Sequence, residues 1–144
     1  LAEVYAADQG ASTISNLSTR GQIDGSGSPL IAGFAVQGTA PRRMLIRGIG
    51  PSLALFGVGG TLQDPTLKIY RDGQLVAEND NWTSAVAENA TAAAASGAFS
   101  LGANSKDAAI VLKLEPGNYT AVVSGGGEAS GAGLVEVYEL AATS

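Results

Sequence analysis

The stretch Ala108-Ala109-Ile110-Val111-Leu112-Lys113-Leu114-Glu115-Pro116-Gly117-Asn118-Tyr119-Thr120-Ala121-Val122-Val123 sets two runs of apolar and β-branched residues on either side of Glu-Pro-Gly-Asn. Such runs, with Pro and Gly where a type II turn wants them, read as strand, reversal, strand. The same grammar recurs upstream. Leu67-Lys68-Ile69-Tyr70 and Leu75-Val76-Ala77 flank Arg71-Asp72-Gly73-Gln74, and Asp-Gly tolerates the positive φ of a type I′ hairpin. Working outward, strands are expected at about 13–19, 29–37, 42–47, 66–71, 74–79, 107–114, 118–124 and 133–140, between clusters of Gly, Pro, Asn and Asp. Strands this short and this evenly spaced predict an all-β fold: a jelly-roll-like β-sandwich of about eight strands with two short helical insertions.

The first insertion opens at Pro51 and stops at Gly57, using Pro at a first helical position and Gly as the terminator. The second runs from about Thr83 to Ser96, with Thr83 or Ser84 as its cap, Gly97 as its end, and a narrow stripe of Val86, Ala90 and Ala93 or Ala94. The bulky core then falls to Leu30, Phe34, Leu45, Ile69, Ile110, Leu112, Val122 and Val137.

Composition bounds the chemistry. The 144 residues suit one domain. Cys and His are both absent, which removes disulfides, thiolate and imidazole metal sites, and the Ser-His-Asp and Cys-His triads. Eight Lys and Arg against thirteen Asp and Glu leave a net charge of -5, opposite to the basic footprint of a nucleic-acid binder. No apolar run is long enough to span a bilayer. Charged residues are only 15% of the chain, and a surface with so little mutual repulsion suits subunits that lie against one another. A start at Leu1 rather than Met reads as a processed, exported product.

The two ends of the chain repeat each other. Leu1-Ala2-Glu3-Val4-Tyr5 matches Leu134-Val135-Glu136-Val137-Tyr138 at four positions of five. A sandwich needs that strand once, so the first copy is surplus, and its backbone asks for a sheet edge. Residues 1–12 are therefore expected to be a strand and linker given to a neighbouring subunit, with 13–144 the sandwich itself. Leu1, Ala2, Val4 and Tyr5 form the donated strand; Leu134, Val135, Val137 and Tyr138 mark the equivalent or adjoining place in the acceptor. The expected partner is another copy of the chain, joined head to tail into an extracellular filament by strand addition.

The blocks Asn16-Leu17-Ser18-Thr19-Arg20-Gly21, Leu30-Ile31-Ala32-Gly33-Phe34, Arg43-Met44-Leu45-Ile46-Arg47-Gly48-Ile49-Gly50-Pro51-Ser52-Leu53, Asp80-Asn81-Trp82, Lys106-Asp107-Ala108-Ala109, Pro116-Gly117-Asn118-Tyr119-Thr120 and Leu134-Val135-Glu136-Val137-Tyr138, taken in order, resemble a β-rich module of large secreted bacterial surface proteins that is often tandemly repeated. The likeness spans about residues 13–140. It implies an extracellular or cell-surface location and a modular life, with Leu1 to Asp8 as the end of a preceding module, and it implies no assigned activity.

Other candidates have plainer readings. Gly48-Ile49-Gly50-Pro51-Ser52-Leu53 is shaped like a phosphate-binding turn but has Leu53 where a third Gly belongs. Arg42, Arg43 and Arg47 are expected to pair with acidic groups of this or a neighbouring subunit. Glu78-Asn79-Asp80-Asn81 offers oxygen ligands for calcium without the Gly and distal Glu of an EF-hand loop. Asp24, Asp64, Asp72, Asp80, Asp107 and Glu115 read as solvated turn residues, so neither an enzyme nor a bound cofactor is expected. Asn16, Asn81, Asn89 and Asn118 head Asn-x-Ser/Thr sequons. Tyr5, Tyr119, Tyr138 and Trp82 would have to stand exposed in one plane to serve the alternative function, a carbohydrate-binding or adhesin module within a longer surface protein.

Overall fold

The structure is a computed structural model that describes residues 2–4, 16–24, 28–125 and 129–140. Its strands are β1 (Ala2–Val4), β2 (Asn16–Ile23), β3 (Leu30–Val36), β4 (Arg42–Ile49), β5 (Thr66–Arg71), β6 (Gln74–Asn79), β7 (Ala108–Leu114), β8 (Gly117–Ser124) and β9 (Gly131–Glu139). They form a four-stranded sheet ordered β2-β9-β4-β7 and a five-stranded sheet ordered β1-β3-β8-β5-β6. Without β1, these are the two facing sheets of an eight-stranded jelly roll, all of whose neighbours pair antiparallel. The all-β sandwich is thus as expected, and β1 is a ninth strand added to a complete fold. Among the described residues, no helix is long and apolar enough to cross a membrane.

The core between the sheets holds Ile23, Phe34, Met44, Ile46, Leu67, Ile69, Tyr119, Val123, Val135 and Val137. In β8 the inward positions are Tyr119, Ala121 and Val123, so Val122, expected in the core, lies on the other face. The four-stranded sheet is covered on its far face too. There Leu45, Ala109, Tyr138 and Leu140 meet Trp82, Ala92 and Ala93, and Ile49, Ala132 and Leu134 meet Leu53. β9 is consequently buried along nearly its whole length. Its near-continuous apolar character is the sign of a strand with both faces covered.

Asp72 and Gly73 have φ of 50° and 80°, the type I′ geometry that joins β5 to β6. The other reversal differs from its reading. Gly117 has φ of 158°, not the roughly +80° of a type II turn, and the strands it separates lie in opposite sheets. The chain there crosses between layers, and the Arg71 guanidinium occupies the space a Gly117 side chain would need.

The first insertion is a 3₁₀ helix, Pro51–Phe56, ended by Gly57 in the left-handed region. The second is a 3₁₀ turn, Trp82–Ala85, leading into α1 (Val86–Ser96), which ends at Gly97. Neither Thr83 nor Ser84 caps α1. Its buried face is Asn89, Ala92 and Ala93, while Val86 and Ala90 are exposed. Ala93 lies in the buried face as expected, but Val86 and Ala90 do not, because the face turns to Asn89, whose amide donates to the Trp82 carbonyl.

Gly50 marks the tightest approach in this layer. A Cβ there would stand 2.0 Å from the Leu62 carbonyl oxygen. Gly50→Ala is therefore expected to cost about 2–3 kcal/mol or more, read as a lowered urea midpoint with an unchanged m-value.

Candidate functional site

The edge that the sequence singles out is built on β3. Ala32, Phe34 and Val36 alternate into the core, and Phe34 stacks on Tyr119 with ring centroids 5.5 Å apart. Along the outer edge of β3 lies β1, parallel, with Ala2 opposite Ala32, Glu3 opposite Gly33 and Val4 opposite Phe34. This is the only parallel strand pairing among the described residues, apart from an isolated bridge at Thr61. It covers three positions of a seven-residue strand. Leu1 and Tyr5, and the linker that follows, lie outside the described residues.

The acceptor residues named from the repeat sit elsewhere. Leu134, Val135, Val137 and Tyr138 belong to β9, which is hydrogen-bonded to β2 on one side and β4 on the other. An interior strand has no edge to offer, so these residues do not receive an added strand. The edge that does is Ala32–Phe34, in the other sheet. The repeated letters therefore do not share a place in the fold.

In β9 those letters serve a buried ionic network. Arg47 is 1% exposed and faces Glu136 across the β4–β9 ladder. Its Nε and Nη2 both donate to Glu136 Oε1, at 2.9 and 2.7 Å, and its Nη1 donates to the Phe99 carbonyl at 2.7 Å. The Phe99 ring covers the guanidinium. Tyr138 donates its hydroxyl to Glu136 Oε2 at 2.8 Å. Burial, then the hydrogen bond and the charge of Glu136, push the Tyr138 phenol up to about 12. Of the other two arginines in the cluster, Arg42 pairs with Glu139, while Arg43 has no ion pair among the described residues.

The glycine turn after β4 does bind an anion, and it is the chain's own. Asp107 is fully buried, contrary to the solvated role its position suggested. One carboxylate oxygen accepts from the Gly50 and Ser52 amides at 2.8 and 3.2 Å. The other accepts from the Ser52 and Ser105 hydroxyls. The first amides of the 3₁₀ helix thus find their acceptor at a distance, which leaves no place there for a phosphate.

Trp82, Tyr119 and Tyr138 are all buried, and Trp82 donates its indole N–H to Ser105. They form no exposed plane for sugar stacking, and Tyr5 lies outside the described residues. Asn89 is likewise buried, whereas Asn16 and Asn118 are exposed. Glu78, Asn79, Asp80 and Asn81 line an open cleft with Thr66 and Ser84. Asn79 is already engaged, accepting from the Ala109 amide and donating to Ser84. Among the described residues, no group of three or more carboxylates is arranged to hold a metal ion. Desolvation and the adjacent Asp80 carboxylate, with which it shares a hydrogen bond, raise Asp64 above its ordinary 3.8 against the opposing charge of Lys106.

No protein-family model matches the chain, and no curated protein matches it in sequence. Among solved structures, the pre-peptidase C-terminal domain of a collagenase from Bacillus anthracis is similar over 94% of this chain and 92% of its own, with a TM-score of 0.53 at 14% identity. PliG of Aeromonas hydrophila, a periplasmic inhibitor of g-type lysozyme, is similar over 96% of both chains, with a TM-score of 0.48 at 11% identity. The first likeness speaks for a shared β-rich fold and nothing beyond it; the second is too distant to add to it.

Two outcomes follow from the network. Glu136→Ala strands a buried guanidinium and is expected to cost about 3–5 kcal/mol, while the paired change Arg47→Met with Glu136→Leu costs far less; equilibrium unfolding of the two variants separates them. Because the folded phenol titrates above its unfolded value of 10.0, the stability that Tyr138 contributes is intact below pH 10 and lost as pH rises through about 12. Tyr138→Phe is expected to flatten that part of the alkaline stability profile.

Proposed function

We propose that the chain is a structural subunit of an extracellular filament, in which residues 2–4 of one copy leave their own β3 and add to the β3 edge of the next. The observation that carries this reading is that the jelly roll is complete without β1. Eight strands close both sheets, and the ninth occupies an edge over three residues only. The stretch 5–15 that tethers it to β2 can extend to roughly 40 Å at about 3.3–3.6 Å per residue. Facing sheets are only about 10 Å apart. That length reaches a neighbour as readily as the home edge.

Main-chain hydrogen bonds would supply the affinity, and the register Ala2–Ala32 and Val4–Phe34 the specificity. The contact is heterologous, since donor and acceptor surfaces differ, so it propagates unless its rotation closes a ring. Low surface charge and the likeness to tandem surface modules agree with service outside the cell.

Deleting residues 1–8 is expected to leave a folded monomer that no longer elongates in negative-stain images; fibres of unchanged length and number would overturn the reading. Since the chain has no native cysteine, Ala2→Cys with Ala32→Cys gives a direct assay. Oxidation of assembled material should produce a ladder of covalent multimers on a denaturing gel, and a single monomer band would mean that the strand stays at home.

A further inference from the structure

Strand exchange by itself does not favour a polymer, because the closed monomer makes the same hydrogen bonds without losing translational freedom. Serial assembly needs a contact that the monomer lacks. Two places in the fold hold like charges together, and they lie at opposite ends of the sandwich.

At one end, Arg43 of β4 stands directly across the ladder from Lys113 of β7. Like charges so placed repel. Neither makes an ion pair among the described residues, where the pairs are Arg42–Glu139 and Arg47–Glu136. Glu139, the carboxylate at this end of β9, is thus taken up by Arg42. Arg71 is turned onto the Pro116 carbonyl and the Tyr119 ring, and Asp72 and Glu115 stand exposed on the turns beyond.

At the other end, Asp64 precedes β5 and Asp80 follows β6, their carboxylates in contact and Lys106 opposing, while Glu78 faces Lys68 across the β5–β6 ladder. The bond from the Ala109 amide to Asn79 fixes this group at the start of β7, whereas Lys113 is near its finish. The ladder from Gly48–Ala108 to Arg42–Leu114 separates the two ends by roughly 20 Å.

We infer that the Arg43–Lys113 end of one copy docks on the Asp64–Asp80 end of a second copy, stacking subunits head to tail along the strand direction. The inference rests on the serial assembly proposed above and supplies the contact that tips it. Asn16, where the tether meets β2, pairs with Tyr138, which in turn pairs with Leu45, next but one to Arg43. The donor's β2 therefore begins at the docked face, while β1, parallel to β3, turns Val4 toward the opposite end of the copy that holds it. Lys113, Asp64 and Asp80 are exposed and Arg43 half-buried, and charges so placed are screened beyond about 8–10 Å, so the contact governs the onset of assembly and its salt dependence.

The test uses full-length chain, with elongation followed by light scattering and negative stain at low and high salt. Arg43→Glu with Lys113→Glu is expected to raise the critical concentration roughly tenfold or more at low salt, and Asp64→Lys with Asp80→Lys to do the same. Mixing the two variants, or combining all four changes in one chain, restores elongation. Arg43→Gln with Lys113→Gln, which carries less risk to folding, should flatten the salt dependence. If the reversed variants elongate as the parent does while deletion of 1–8 still blocks it, strand donation stands and this contact falls. If the parent chain forms no filament at any salt, both fall.

Discussion

A charge removed from water must have all its hydrogen bonds met inside the fold, and the Arg47–Glu136 pair imposes that condition on most of the four-stranded sheet. Glu136 needs Tyr138 for its second oxygen; Arg47 needs the Phe99 carbonyl for its Nη1. The second demand draws the segment after α1 across the sheet. That segment leads into Ser105 and Asp107, which receive the Trp82 indole and the first amides of the 3₁₀ helix. One ion pair between two central strands thereby helps organise a third layer whose Leu53, Trp82, Phe99 and Leu101 pack onto the sheet.

This arrangement decides which surfaces are left for function. The four-stranded sheet has its inner face on the core and much of its outer face under the helix and its loops. Among the described residues the five-stranded sheet has no such cover, and β3 and β6 bound its jelly-roll part. A short strand laid on β3 blunts an edge that would otherwise invite pairing. In the proposed filament the same strand would link copies, and its worth there would depend on contacts made elsewhere.

The strands were legible because period-two alternation and turn residues are local properties. Asp72-Gly73 announces its hairpin, and Pro51 with Gly57 brackets its short helix. Pairing across the chain was not legible. Nothing in Glu115 to Asn118 says that the strands on either side enter different sheets, because that choice is made by which apolar face finds which partner. Asp107 read as a turn residue since its ligands, Gly50 and Ser52, are more than fifty positions away. The repeat Leu-x-Glu-x-Tyr was visible but misassigned: Glu136 and Tyr138 serve Arg47, a partner supplied by β4, whereas Glu3 falls opposite Gly33 in the other sheet. A signal for that difference did exist in Arg47 itself, an isolated cation inside an apolar strand that required a buried acid.

Sparse charge also changes the meaning of each charged residue. In a densely charged surface an unpaired Arg43 would find a carboxylate by rotating, and its place would carry little information. Here eight cations serve 144 residues; among the described residues two are spent on ion pairs and a third on a carbonyl and a ring. Setting Arg43 opposite Lys113 costs stability in an isolated subunit, as does bringing Asp64 against Asp80. The docking inferred above would set one cost against the other, since the two lie at opposite ends of the strands.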